Sequence, residues 1–447
     1  MWFRRDLRLS DHPALAHAAR EDRETVPVFV VDPALVRHSG APRLAFMYRS
    51  LHALAASMDG QLIVRHGNPQ EVIPAMVAET EATEVVVTRD YAPYGSARDA
   101  AVAHALTMQG RARLVGSGTP YAVTPGEVLK ADGTPYAVFT PFRRAWQRVG
   151  WSAPGDTIEA RWQGTDTWPS DGVPMEPHVS CTLAPAGEDA AQQRWDEFVT
   201  TALDQYDIQR DTPGIAGTSA MSPYLRWGQM HPRQLLHDLG DSRAHDIFRS
   251  ELAWREFYAN VLHHKPHTAR HNLQSKMDAM QLDTDGAARD RFESWTQGRT
   301  GYPIVDAGMR QLLATGWMHN RVRMIVASFL VKDLHLPWQW GARHFMRHLV
   351  DGDLASNQHG WQWVAGTGTD ASPYFRIFNP TSQSERFDPD GAYIRRWVPE
   401  LEALSNRDIH APFASGQARS SDVVAPIVDH AHERAVALSR YQAAMGR

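Results

Sequence analysis

The chain has 447 residues, more than one hydrophobic core usually holds, so at least two domains are expected. Hydrophobic residues make up 43% and charged residues 22%, with a net charge of −5. That is an ordinary globular balance, and any nucleic-acid surface would have to be a local basic patch. The single cysteine, Cys181, excludes a disulfide framework and a cysteine-ligated iron–sulfur cluster, and suits a reducing cytoplasm. No apolar run reaches membrane-spanning length, and no signal peptide is visible. Fifteen tryptophans are mostly packing residues, yet enough to permit electron hopping between indoles.

Residues 1–125 alternate strand and helix signals. Val26–Asp32, Gln61–Arg65 and Glu84–Asp90 are β-branched runs that end in polar residues. Helix-length amphipathic segments, Arg43–Met58 and Asn68–Glu79, lie between them. The alternation predicts a parallel, Rossmann-like α/β sheet with right-handed crossovers. There is no Gly-rich dinucleotide fingerprint after the first strand. Only Met1–Phe3 remain for that strand, short of the usual ~5–6 residues, so a native start further upstream is expected. Residues 126–190 are dense in Pro and Gly from Ser152 to Gly187 and read as an inter-domain linker. From 191 to 447 the helical period takes over, which predicts an all-α domain.

Residues 351–363, Asp-Gly-Asp-Leu-Ala-Ser-Asn-Gln-His-Gly-Trp-Gln-Trp, concentrate unusual chemistry. On a helix, Asp353, Asn357 and Trp361 fall at i, i+4, i+8 and share a face that suits a flat, polar, redox-active ring. Trp363 is expected to point elsewhere. Three further stretches carry chemistry. Gly217–Leu225 opens a helix with Thr218 and Ser219, an anion-binding pattern, although plain capping gives the same signal. Glu251–Tyr258 places Glu251, Arg255 and Tyr258 on one helix face with Trp254 at its margin. Trp317–Met324 places Asn320, Arg323 and Met324 together, and its apolar continuation calls for a carboxylate partner for Arg323.

These stretches, with Trp2–Leu15 and with Thr367–Pro380 (Thr-Gly-Thr-Asp-Ala-Ser-Pro-Tyr-Phe-Arg-Ile-Phe-Asn-Pro), resemble the DNA photolyase and cryptochrome family over nearly the whole chain. The resemblance implies an α/β amino-terminal domain and an all-α FAD-binding domain. It implies FAD contacts from Tyr206, Thr218, Ser219, Ala220, Met221, Ser222, Arg323, Asp351, Gly352, Asp353 and Asn357. Many relatives have Arg where Ala220 stands. Glu251, Trp254, Met324, Asn357 and Trp363 are the implied catalytic residues. Arg210, Glu251, Trp254, Arg255, Tyr258, Asn320 and Gln383 are implied to meet DNA, with Arg376 a candidate by composition alone.

Within the family, Asn320 and Asn357 match the class I branch that repairs cyclobutane pyrimidine dimers, and the resemblance implies that Asn357 faces flavin N5. The resemblance implies light-driven repair of UV-damaged DNA by electron transfer from reduced FAD, with no metal. An antenna chromophore, a deazaflavin or methenyltetrahydrofolate, is implied near Tyr91–Asp99. A monomer is expected, in the cytoplasm and on the nucleoid through DNA. Trp361 and Trp338 match the first two members of a tryptophan relay. The third position is Asp285, so Trp340, placed between helices, is the candidate terminus. Two other classes stand beside this reading: a blue-light receptor that binds FAD without repair, opposed by the absence of a long tail after the last helical pattern, and a flavin oxidoreductase with a diffusible substrate.

Overall fold

The computed structural model describes residues 1–369, 376–414, 416 and 423–446. Its amino-terminal part is an α/β layer built on short parallel strands. Trp2–Phe3 pairs with Val28–Val31, in register Trp2↔Val28, and Val28–Val31 pairs with Ile63–His66. On the other side of Trp2–Phe3 lies Glu84–Val87, itself paired in parallel with Arg113–Gly116. The four residues of Val28–Val31 are all buried, as expected for a strand covered on both faces. The covering helices are Ala41–Ala56, Pro69–Thr80 and Pro93–Gln109, each with Pro at its start, where the missing N–H costs nothing. Polar residues at the strand ends, Asp6 and Thr88, are tied together across the sheet by a 2.5 Å hydrogen bond.

Between this layer and the helical part, Phe139–Val149 forms an amphipathic helix. It buries Phe139, Phe142 and Trp146. Phe139 stacks on Trp254 at 3.6 Å and 8°, and Phe142 packs on Phe257. Trp146 donates its indole N–H to Glu256 at 2.5 Å. Helices begin again at Glu188–Thr201. The longest, Arg243–His264, runs through the helical part.

Three helices then define a concave face: Asn320–Ser328, Trp338–His348 and Leu354–Ala365. The first runs straight into a buried π-helical turn, Phe329–Asp333. Leu354–Ala365 is capped by the side chain of Asp353, which accepts from Ser356 N at 3.1 Å, and ends at Gly366, whose φ of 79° a side chain would resist. Trp338–His348 approaches it at Gly341, where a Cβ would run into the indole of Trp361. Among the described residues, no helix is long and apolar enough to cross a membrane.

Candidate functional site

A cavity of about 490 Å³ opens between Arg243–His264, Asn320–Ser328 and Leu354–Ala365. Four distant stretches of sequence meet there. Glu251, Trp254, Arg255 and Tyr258 form one wall. Asn320, Arg323 and Met324 form a second, and Asp351, Gly352, Asp353, Asn357, Trp361 and Trp363 a third. Tyr206, Arg210, Ser219, Met221 and Ser222 close the remaining side. Trp363 therefore faces the same cavity as Trp361, against the expectation that it points elsewhere. Two positions on one helix lie 200° apart, but the cavity is wide enough to touch both flanks of the helix.

Two arginine–aspartate pairs order the floor. Arg323 grips Asp351 with both terminal nitrogens, at 2.7 and 3.3 Å, and its Nε donates to the Met318 carbonyl at 2.8 Å. Asp351 also accepts from Ser222 Oγ at 2.6 Å, and Ser222 Oγ accepts from the Trp317 indole at 3.1 Å. The Ser222 hydroxyl is thus engaged inside the protein, and what it offers a ligand is its backbone. Asp353 pairs with Arg5 from the amino-terminal layer at 3.1 Å. Burial works against ionisation of Asp353, but Arg5, Arg226 and Arg255 outweigh it and hold the carboxyl well below the usual carboxylate range.

Arg226 escaped the sequence reading, whose motif here ended one residue earlier, at Leu225. It lines the cavity beside Gly352, whose carbonyl accepts from its Nε at 3.0 Å. Burial, with Arg5 and Arg43 nearby, lowers its pKa to about 9. Its Nη1 is buried without a partner, as is the indole N–H of Trp361. Unpaired buried donors at a cavity are costly unless a ligand supplies acceptors. A flavin with its pyrophosphate has both acceptors and negative charge, so the donor set fits FAD. Arg321 is a second residue missed; it lines the rim and pairs with Asp211 at 2.8 Å. Its i+1 position beside Asn320 could have flagged it.

Glu251 is paired with Arg210 at 2.7 Å, and burial raises its pKa while Arg210 opposes. Arg255 turns inward. Its guanidinium donates to the carbonyls of Pro120 and Leu225 and sits 4.6 Å from the Tyr121 ring. Expected at DNA, it lines the cavity with two of its guanidinium nitrogens already engaged by backbone carbonyls, because partly buried donors must find acceptors. Thr218 and Ala220 do not line the cavity. The Thr218 carbonyl receives Arg194, and Ala220 has a left-handed φ of 52°. Gln383, on Pro380–Phe387, and Arg376 also lie off the cavity lining. The Arg376 carbonyl accepts from buried Lys332. Asp370–Phe375 of the last motif lie outside the described residues.

Trp361 and Trp338 are both buried. The ring neighbours of Trp361 are Phe345 at 5.0 Å and Trp295 at 6.1 Å. Trp338 donates its N–H to Asn272 at 2.8 Å. Asp285 is the cap of Gly286–Thr296, accepting from Ala288 N at 2.8 Å. Trp340 belongs to the first turn of Trp338–His348, not to a connection between helices. It is partly buried against Phe292 at 5.3 Å and Arg289 at 5.8 Å.

A two-part fold with a flavin-sized, arginine-lined cavity in its helical part defines a flavin-binding protein of α/β-plus-helical type. Residues 1–159 match the family description "DNA photolyase", and residues 248–443 match "FAD binding domain of DNA photolyase". The deoxyribodipyrimidine photo-lyase of Vibrio cholerae is 37% identical over 100% of this chain and 99% of its own. The crystal structure of a class III photolyase from Agrobacterium tumefaciens superposes with a TM-score of 0.91 at 38% identity, covering 100% of this chain and 97% of the other. A Synechocystis cryptochrome superposes at 0.86 with 27% identity, over 98% of each chain. The chain belongs to the DNA photolyase family. The likeness reaches a class III photolyase, outside the class I branch named by the sequence motifs.

Proposed function

We propose that this protein repairs cyclobutane pyrimidine dimers in UV-damaged DNA with light, the dimer being flipped out of the duplex into the cavity. The observation that carries the reading is the cavity itself. One end presents Glu251, Trp254, Asn320, Met324 and Trp363, and the other the arginine–aspartate floor at Asp351 and Asp353. The same cavity thus offers aromatic and polar groups suited to a lesion and an arginine–aspartate set suited to a flavin. Bound FAD, when reduced and excited, supplies one electron to the dimer and takes it back.

The residues bind, orient and exclude water. Tyr206, Ser219, Met221, Ser222, Arg323, Asp351, Gly352, Asp353 and Asn357 would hold FAD, joined by Arg226, with Thr218 and Ala220 acting through backbone shape. Trp254 and Trp363 would flank the dimer. Trp254 is held from behind by Phe139, so only one face is free to stack. Glu251 would hydrogen-bond the dimer's polar edge. Arg210 and Arg321 at the rim, with Gln383 further out, would meet phosphates, which position without reading sequence. An antenna chromophore, a deazaflavin or methenyltetrahydrofolate, is proposed at Tyr91–Asp99. There Tyr94 donates to Asp32 at 2.5 Å. Extraction of the purified protein identifies it.

The test is light-dependent loss of dimers from an oligonucleotide, with FAD reduced beforehand. Repair under blue or near-ultraviolet light and none in the dark is expected. FAD binding without repair would favour the light-receptor reading that the cryptochrome likeness keeps open.

A further inference from the structure

Asn357 lines the cavity, and the orientation of its side-chain amide is fixed by groups outside it. Its Nδ2 donates twice, to the Ala342 carbonyl at 3.1 Å and to Gln358 Oε1 at 2.9 Å. Gln358, itself buried, donates its Nε2 to the Ala269 carbonyl at 2.6 Å. Backbone carbonyls only accept. Ala269 therefore dictates which end of Gln358 is nitrogen, and so presents Gln358 oxygen to Asn357. Ala342 and Gln358 together then require Asn357 nitrogen on their side. Reversing either amide would set oxygen against oxygen. Both protons of Asn357 Nδ2 are used, and no donor among the described residues reaches its Oδ1. The atom left for the cavity is a pure acceptor.

We infer that Gln358 is a positioning residue that holds the Asn357 carbonyl toward the cofactor and thereby biases the site to flavin carrying hydrogen on N5. The inference rests on the proposed FAD site, with Asn357 beside N5. Flavin N5 is an acceptor in the oxidised ring and an N–H donor in the reduced one. An acceptor locked opposite it favours the reduced form, and an amide free to turn can satisfy either. The bond to Ala269 ties this preference to the turn Pro266–Ala269, well outside the cavity lining.

The experiment measures the two-electron midpoint potential of FAD in the purified holoprotein. Gln358→Met removes the acceptor that Asn357 needs and leaves every cavity-lining residue in place. The preference for reduced over oxidised FAD should fall about tenfold, a potential lower by about 30 mV for a two-electron couple. In an Asn357→Ala background the same substitution should change nothing, because the residue through which it acts is gone. Should Gln358→Met fail to fold, Gln358→Asn, an amide one methylene short, reads the same shift. An unchanged potential in a folded, FAD-loaded variant overturns the inference alone, as does an equal shift in the Asn357→Ala background. A wild-type chain that binds no FAD overturns it together with the reading of the site.

Discussion

Glu251 shows what a single carboxylate does here. Half-buried in the wall and paired with Arg210 at 2.7 Å, it is held in place before any lesion arrives. Its loss should remove one charge-assisted hydrogen bond to the dimer. Glu251→Ala is expected to keep FAD and to weaken lesion binding by ~1.5–3 kcal/mol. Titration with a dimer-containing oligonucleotide checks this, and unaltered affinity would withdraw the assignment. The aromatic residues give a second expectation. Trp361 touches Trp295, Trp295 stacks on Phe292 at 5.8 Å, and Phe292 meets Trp340. With Asp285 serving as a helix cap, Trp340 is the proposed end of the relay. Photoreduction of oxidised FAD should slow in Trp338→Phe and in Trp340→Phe, while repair by flavin reduced beforehand survives. If Trp340→Phe photoreduces at the wild-type rate, the terminus lies elsewhere. Trp295→Phe separates a route through the ring contacts from one through Trp338.

At the scale of elements, several helices near the site start from an imidazole. His12, His231 and His319 each accept a backbone N–H with Nδ1, from Leu15, Arg233 and Arg321. The His319 cap orients Asn320–Ser328 and with it Asn320, Arg323 and Met324. Only neutral imidazole can accept there. Burial lowers the pKa of His319 from 6.5 to about 4, with Asp211 opposing and Arg323 and Arg321 adding to the effect. A base with a lower pKa when folded binds fewer protons folded than unfolded between those values, so stability rises with pH across that window and is lost as pH falls from 6.5 toward 4. His319→Asn keeps an accepting cap that cannot be protonated. It should flatten this part of the pH–stability curve, whereas His319→Ala should cost ~0.5–2 kcal/mol at neutral pH. Chemical denaturation at several pH values tests both, and an unchanged slope in His319→Asn would clear His319 of the effect. Helix approach gives a sharper case. Gly341→Ala forces a methyl group into Trp361, at an expected cost of ~1–3 kcal/mol and with lower FAD occupancy of the purified protein.

Across the whole molecule, the α/β layer is locked to the helical part at the cavity. Arg5 reaches Asp353. Arg43 donates to the Leu349 carbonyl at 3.3 Å, Arg233 pairs with buried Asp11, and Glu188 accepts from Leu9 N at 2.7 Å. Arg5→Ala should therefore loosen FAD as well as the interface, seen as faster flavin loss on dilution; retention equal to wild type would show the link to be passive. The net charge of −5 makes DNA binding depend on a few rim cations. Affinity for damaged and undamaged duplexes alike should fall with salt, and Arg210→Ala should reduce the slope of log affinity against log salt by ~1. A slope that stays the same would take Arg210 off the phosphate list.

Periodicity and local chemistry determined the elements: the parallel α/β start, the helical remainder, and the faces carrying Glu251, Asn320 and Asn357. Those depend on neighbours three or four residues apart, which a sequence displays. The short motifs also carried the family resemblance, since their residues are close in the chain. Which faces meet was decided by the tertiary structure. Trp363 joins Trp361 in one cavity because of where two other helices cross. Arg255 turns to Pro120 and Leu225, carbonyls more than a hundred and about thirty residues away. Arg226 becomes a cavity cation because Gly352 lies beside it. The nitrogen of Asn357 is turned to Ala342 and to Gln358, itself held by Ala269, so the amide is oriented by carbonyls 15 and 88 positions earlier. Hydrogen-bond direction inside a protein is fixed by all the groups that must be satisfied at once, and those are assembled only when the chain has folded.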